Sequence, residues 1–385
     1  MRISRIKVNN FKSLVDFDLP MEKFTCLIGL NGSGKSTVLQ FLDFLGQIVR
    51  GTLANWLSER DWEYEDLASK LTDCPVLDFE VNIEANSGEP LGRWIGKFRY
   101  SRIRCVEETI QFGHELIRVQ EDTIRLSDQP DTPITFKYNG SILSQLQDDV
   151  LPPLTRQFRD FLQSSHSLDT LTPDYLRQRT RDAHGTLGYG GRQLSAYLSE
   201  LSQEKYSQVN SDLEAIYQKD IAVGSRTLRS GWKQLQVAEP YLTAGQMLPR
   251  MTTEAKHVND GTLRLISFFA ELVSEHELIA LDEIENGINP EIVERLVEKL
   301  VHARQQIVVT THSPMILNYL EDEVAKKSVV YLYKTDAGHT KAIRFFDIPS
   351  MAEKLKVMGP GEVFVDTKLS ALAGEIAALS KAGAP

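Results

Sequence analysis

The chain of 385 residues is 42% hydrophobic and 25% charged, ordinary for a soluble globular protein with a sizeable core. Its formal net charge of −10 argues against a surface coated in nucleic acid, while leaving room for a local basic patch. The chain has no run of about 18 apolar residues. Met1-Arg2-Ile3-Ser4-Arg5-Ile6 shows no signal-peptide core, and Cys26, Cys74 and Cys105 lack metal-type spacing, so the expected compartment is the cytoplasm.

Residues 1–28 read as strands: Ile3 to Val8, a second through Leu14, Val15, Phe17 and Leu19, and a third over Phe24-Thr25-Cys26-Leu27-Ile28. The third runs into Gly29-Leu30-Asn31-Gly32-Ser33-Gly34-Lys35-Ser36-Thr37, which fits the phosphate-binding pattern GxxxxGK[ST] at every fixed position. Val38, Leu39, Phe41, Leu42, Phe44, Leu45 and Ile48 follow at helical spacing. Strand, glycine loop and helix aim backbone N–H groups and a helix N-terminus at phosphate oxygens. Gly29, Asn31, Gly32, Ser33, Gly34 and Thr37 belong to that cradle, Lys35 reaches the β- and γ-phosphates, and Ser36 offers its hydroxyl to Mg²⁺. The stretch predicts binding of a nucleoside triphosphate.

Gly51 to Thr72 reads as a helical excursion carrying Trp56 and Trp62. From Val76 to Tyr138 alternation predicts antiparallel strands: Phe79-Val81-Ile83, Trp94 to Arg104, Thr109 to Phe112, Leu116 to Val119, Thr123 to Leu126 and Ile134 to Tyr138. Ile142 to Tyr217 reads as mainly helical, broken near Leu171-Thr172-Pro173 and Gly188-Tyr189-Gly190-Gly191. A helix over Thr262 to Val273, a buried strand over Leu278 to Leu281 and a helix over Pro290 to Ala303 come next. Strands over Gln306 to Thr310 and Val329 to Tyr333 complete an alternation that predicts a largely parallel sheet covered on both faces.

Leu278-Ile279-Ala280-Leu281-Asp282-Glu283 delivers two acids at the end of a buried strand. Beside a phosphate loop, Asp282 is placed for Mg²⁺ and Glu283 to polarise an attacking water. Val308-Val309-Thr310-Thr311-His312-Ser313-Pro314 is a β-branched strand with a polar tip, and places His312 where it senses a γ-phosphate.

These motifs together resemble the ABC-type ATPase head shared by SMC proteins, RecF and the OLD family, most of all the OLD-like predicted ATPases of bacteria and their viruses. Asn10-Phe11-Lys12-Ser13-Leu14 is similar to the entry motif of that group. Glu283-Ile284-Glu285-Asn286-Gly287-Ile288-Asn289-Pro290 resembles its Walker B extension and D-loop, and Thr311-His312-Ser313-Pro314 its H-loop. Residues 1–45 and 255–335 carry these signals. The resemblance implies ATP with Mg²⁺, catalytic roles for Glu283 and His312, and a signature loop at Asn259-Asp260-Gly261-Thr262, with Asn where Ser is usual. It also implies two heads clasping two ATP molecules head to tail. For the family's Q-loop glutamine, Gln111 and Gln120 stand equal.

The fold class expected is therefore α/β: an ABC-type P-loop head with a mostly parallel sheet, an antiparallel β region and a helical insertion. Its segments are an N-terminal lobe at 1–140, the insertion at 141–250, a C-terminal lobe at 251–345 and a tail at 346–385. Leu369, Leu372, Ile376 and Leu379 form one apolar stripe in the tail. Glu362 and Asp366 stand apart from other acids, so no Toprim nuclease domain is expected there. Two basic clusters, Arg93 to Arg104 and Arg177 to Arg192, read as solvated faces, with a nucleic-acid surface as the alternative.

The function expected is an ATPase that dimerises on ATP and drives a separate effector, a nuclease or toxin, in anti-phage defence. A RecF/SMC-like DNA-binding ATPase in repair or maintenance is the alternative, and a transporter subunit ranks last. No membrane partner is expected.

Overall fold

The computed structural model describes residues 1–369 apart from 128, 170, 244, 245, 248 and 249, together with 372 and 374–376. Three strands open the chain, β1 (Arg2–Asn9), β2 (Phe17–Pro20) and β3 (Phe24–Ile28), followed by helices α1 (Lys35–Arg50) and α2 (Leu53–Glu59). Strands β4 (Val76–Glu84), β5 (Pro90–Arg99), β6 (Arg104–Phe112), β7 (Glu115–Gln120), β8 (Thr123–Leu126) and β9 (Thr132–Pro133) then pair as antiparallel neighbours. With the first two they form an eight-stranded sheet in the order β2-β1-β4-β5-β6-β7-β8-β9. One face is buried, as the alternation requires: Leu77, Phe79, Val81 and Ile83 of β4 point into the core.

Helix α3 (Pro153–Gln163) leads into β10 (Ser165–Leu168), and α4 (Pro173–Leu176), α5 (Leu194–Glu200) and α6 (Gln203–Tyr217) follow. Next come β11 (Ala222–Thr227), β12 (Lys233–Glu239), the short pair β13 (Leu242–Thr243) and β14 (Gln246–Met247), and β15 (Met251–Glu254). Helix α7 (Asp260–Leu272), β16 (Leu278–Leu281), α8 (Pro290–Val301) and β17 (Gln306–Thr310) precede β18 (Val329–Lys334) and β19 (Thr340–Arg344). The second sheet has the order β10-β16-β17-β3-β18-β19, and only its β18–β19 pair is antiparallel.

This parallel sheet is sandwiched between two apolar cores. Along β16, Ile279 and Leu281 face one core, shared with Leu263, Ile266 and Phe269 of α7, while Leu278 and Ala280 face the other, shared with Val38, Phe41 and Leu45 of α1. Burial on both faces explains the continuous apolar runs in β3, β16 and β17. Cys26 of β3 is a buried free thiol, as its apolar neighbours indicate.

The expected α/β architecture holds, with three corrections. Trp94 to Arg104 is not one strand: Tyr100–Arg102 makes a 3₁₀ turn and Ile103 takes a left-handed φ of 55°, which no Gly or Pro announces. Ile134 to Tyr138 is not a strand; Tyr138 instead turns inward and donates to the Cys105 carbonyl at 2.9 Å. The segment expected as a helical insertion is not wholly helical. Its β10 joins the central sheet, and β11, β12 and β15 form a sheet of their own. In the tail, Leu372 and Ile376 are buried, Leu369 packs on the same core, and Leu379 lies outside the described residues.

Glu108 of β6 ties the antiparallel sheet to the chain that leaves it. Its fully buried carboxylate accepts from Trp94 Nε1 at 2.8 Å, from Ile142 N at 2.9 Å and from the Ser141 hydroxyl. Burial raises its pKa to about 7, more than these donors lower it. Because native Glu108 holds its proton more tightly than the unfolded chain does, its ionisation erodes stability as pH rises from the ordinary carboxyl range to about 7. Urea unfolding of wild type and Glu108→Gln across that window should show a falling difference of up to ~3 kcal/mol, with the shallower slope in Glu108→Gln.

Candidate nucleotide site

The parallel registers put the working residues on one edge of the sheet. Leu281 stands opposite Val309, and Thr310 opposite Leu27, so β3, β16 and β17 all end together. Crevices beyond the carboxyl ends of parallel strands are the usual ligand positions in such sheets. Here the crevice is a cleft of about 480 Å³ lined by Asn31, Gly32, Gly34, Lys35, Ser36, Thr37, Asp282, Glu283 and His312.

The glycine loop has the backbone that its sequence demands. Gly32 and Gly34 hold φ of 75° and 105°, and Gly34 is further confined because a Cβ there would overlap the Thr340 hydroxyl. Thr340 in turn donates to the Ser33 carbonyl at 2.9 Å and shares a 2.8 Å hydrogen bond with Ser13. Lys35 Nζ donates to the carbonyls of Gly29 at 3.1 Å and Leu30 at 3.3 Å, and burial lowers its pKa. The ammonium thus rests inside its own loop, facing three acids, Asp282, Glu283 and Glu285.

Ser36 Oγ donates to Asp282 Oδ2 at 2.8 Å, and Thr310 Oγ1 donates to the other oxygen of the same carboxylate. A hydroxyl and a carboxylate so placed are hard oxygen donors of the kind Mg²⁺ takes beside substrate phosphates. Glu283 sits at φ 47°, a strained conformation for a non-glycine residue, held by its N–H donating to Thr310 Oγ1 at 2.8 Å. Its carboxylate is 4.0 Å from His312 Nε2 and half exposed.

Several contributors escaped the sequence reading. Glu285 accepts from His312 N at 2.8 Å and Ser313 N at 3.1 Å, so one carboxylate oxygen fixes the tip that carries His312. Thr310 looked like an ordinary β-branched strand residue, yet it bonds both Asp282 and Glu283. Lys12, Ser13 and Lys334 also line the cleft. Lys12 Nζ lies 3.3 Å from the Trp62 ring centre and donates to Gln40 Oε1 at 2.9 Å, and burial lowers its pKa to about 8. Its loop is anchored by the buried Asn10 side chain, which reaches the Val76 carbonyl at 2.7 Å and Ser69 N at 3.0 Å. The Asn10-Phe11-Lys12-Ser13 signal was visible in sequence; its arrival at the cleft was not.

Asn259, Asp260 and Gly261 are absent from the residues lining this cleft. Asn259 caps α7, accepting from Thr262 N at 2.8 Å, and Asp260 pairs with Arg177. Gly261 packs against the turn after β16: a Cβ there would overlap the Gly287 carbonyl. Gln111 and Gln120 lie in β6 and β7, each paired with a neighbouring strand, and neither lines the cleft.

Both basic clusters are partly neutralised. Lys97 pairs with Glu107, Arg99 and Arg102 with Glu121, and Arg104 with Asp122, which favours the solvated-face reading of the first. In the second, Arg177 and Arg192 are paired with Asp260 and Glu59. Arg179 and Arg181 make no ion pair among the described residues, and Arg181 stacks 5.0 Å from the exposed ring of Trp232.

Comparison with known proteins finds similarity over parts of the chain and in its fold. Residues 1–89 match the family described as "AAA ATPase domain", and residues 252–318 the family described as "AAA domain, putative AbiEii toxin, Type IV TA system". An OLD nuclease of Thermus scotoductus is 42% identical over 88 residues, which is 22% of this chain and 17% of that protein. Among solved structures, an Smc head bound to the C-winged helix domain of ScpA aligns over 89% of this chain and 98% of its own, at 12% identity and a TM-score of 0.51. The SMC head domain from Thermotoga maritima aligns over 89% and 98%, at 13% identity and a TM-score of 0.46. No described helix is long and apolar enough to cross a membrane. Two segments of the chain thus match ATPase-domain families, one stretch resembles part of an OLD nuclease, and the α/β fold is like that of an Smc head.

Proposed function

We propose that this head hydrolyses ATP in a head-to-tail pair and passes the resulting open–closed switch to a partner effector. The observation that carries the reading is the split of the machinery. Lys35, Ser36, Asp282, Glu283 and His312 share one cleft, while Asn259, Asp260 and Gly261 sit outside it. A second copy could bring its α7 N-terminus, the end of a helix dipole that favours anions, to the open side of that cleft. Mg²⁺ held by Ser36 and Asp282 would supply charge neutralisation at the triphosphate. Lys35 would exchange its loop carbonyls for phosphate oxygens. Glu283, strained and half exposed, would orient the water, with His312 beside it at the γ-phosphate.

For the effector, the matched names offer two classes, a nuclease and a toxin of a type IV system. An effector of either class under ATP control is the anti-phage reading. The DNA-binding alternative is favoured by one feature, Arg179 and Arg181 near exposed Trp232, neither of them in an ion pair among the described residues. Filter binding that strengthens with ATP, weakens with salt and is lost in Arg181→Glu would favour DNA; salt-insensitive background binding would remove it.

Two experiments test the head itself. Glu283→Gln should cut ATP turnover at least ~100-fold while an ATP-dependent dimer persists in light scattering; ordinary turnover would remove Glu283 from catalysis. Lys35→Ala should lose nucleotide binding by calorimetry, and Asn259→Arg should keep it but lose hydrolysis. Mixing these two inactive chains rebuilds one intact composite site, so turnover should reappear; a silent mixture would refute the shared site.

A further inference from the structure

Behind the nucleotide edge, three side chains from three elements converge. Glu271 lies in the last turn of α7, His166 on β10, and His276 on the loop entering β16. His166 Nδ1 is 3.0 Å from Glu271 Oε1 and His276 Nδ1 is 2.6 Å from Glu271 Oε2, so each imidazole faces its own carboxylate oxygen. The rings lie 4.9 Å apart with a 38° tilt, and the donor atoms of all three residues fall within 4.8 Å of one another.

The electrostatics of this cluster are unusual. The Glu271 side chain is fully buried, with no exposed surface at all. It also stands at the C-terminal end of a 13-residue helix, where the backbone dipole disfavours negative charge. A carboxylate so placed calls for strong positive compensation. The imidazoles are one source, and they are not sealed in: His166 and His276 both line a cavity of about 280 Å³ on this side of β10. Ser167 lines the same cavity, and its buried hydroxyl has no hydrogen-bond partner among the described residues. The nearby Arg50 is already committed, donating to the carbonyls of Gln163 at 2.7 Å and Ser165 at 2.9 Å.

We propose that His166, Glu271 and His276 form a binding site for one divalent transition-metal ion of the Zn²⁺ class, open on its cavity side. Two imidazole nitrogens and a carboxylate are a donor set that suits zinc, and three protein ligands with an accessible fourth position form an open site. The ion replaces the two hydrogen bonds between the rings and Glu271. Each ring then carries its proton on Nε2 and gives its Nδ1 lone pair to the metal. The site lies outside the nucleotide cleft, and its proposal does not depend on ATP hydrolysis. Its effect on the head would be mechanical: the ion clamps α7 to β10 and to the approach of β16.

The test uses the full chain, stripped with EDTA and returned to chelator-free buffer. Calorimetric titration with ZnCl₂, followed by desalting and elemental analysis, should find one zinc per chain. Co²⁺ in its place should give visible d–d bands. Glu271→Gln and the double variant His166→Ala, His276→Ala should lose that equivalent, whereas Cys74→Ser should keep it. Circular dichroism and ATP binding identify which variants remain folded, and Glu271→Gln, nearly isosteric, guards against collapse of the double variant. Wild type that retains no stoichiometric zinc, or folded variants that retain it undiminished, would overturn the site.

Discussion

The Asp282 carboxylate is the point on which this head converges. One of its oxygens receives the Ser36 hydroxyl from the start of α1, the other the Thr310 hydroxyl from the end of β17. These groups are 246 and 28 residues away in the chain, and only a parallel register with common strand ends makes them neighbours. The two-sided apolar burial of β3, β16 and β17 enforces that register, because sliding a strand by one residue would exchange the residues facing the two cores. Packing and chemistry are thus one constraint: the same alternation that fills two cores delivers three polar tips to one edge.

Much of this was legible in the residues. The phosphate loop, the acids after β16 and the polar tip after β17 each combine a buried run with an abrupt polar end, and such runs register locally. Strands Leu278–Leu281 and Gln306–Thr310 match the expected limits residue for residue. The elements misread are those set by distant partners. Tyr138 turns inward because the Cys105 carbonyl waits for it, and Ile103 bends the chain without a glycine. Strands β11 and β12 leave little trace in the sequence, because Val223, Leu235 and Val237 are sparse among polar residues.

The site shows the same division. Residues with recognisable chemistry, Lys35, Ser36, Asp282, Glu283 and His312, come together in the cleft. Residues that position them, Thr310, Glu285, Thr340 and Asn10, carry common side chains whose function is purely relational. Glu285 is the clearest case: an acid in a run of acids, it earns its place by receiving two backbone N–H groups from the β17 tip.

The contact between Gly261 and Gly287 has a further consequence. With no space at Gly261 for even a methyl group against the Gly287 carbonyl, the head of α7 and the turn after β16 meet closely and are held together by packing. In the proposed pair, the first faces the partner's nucleotide while the second follows the chain's own Glu283. Each subunit would then act as a rigid crank between two nucleotides, so that events at one are felt as displacement at the other. Communication between the two sites would need no separate relay, only the absence of a side chain at Gly261.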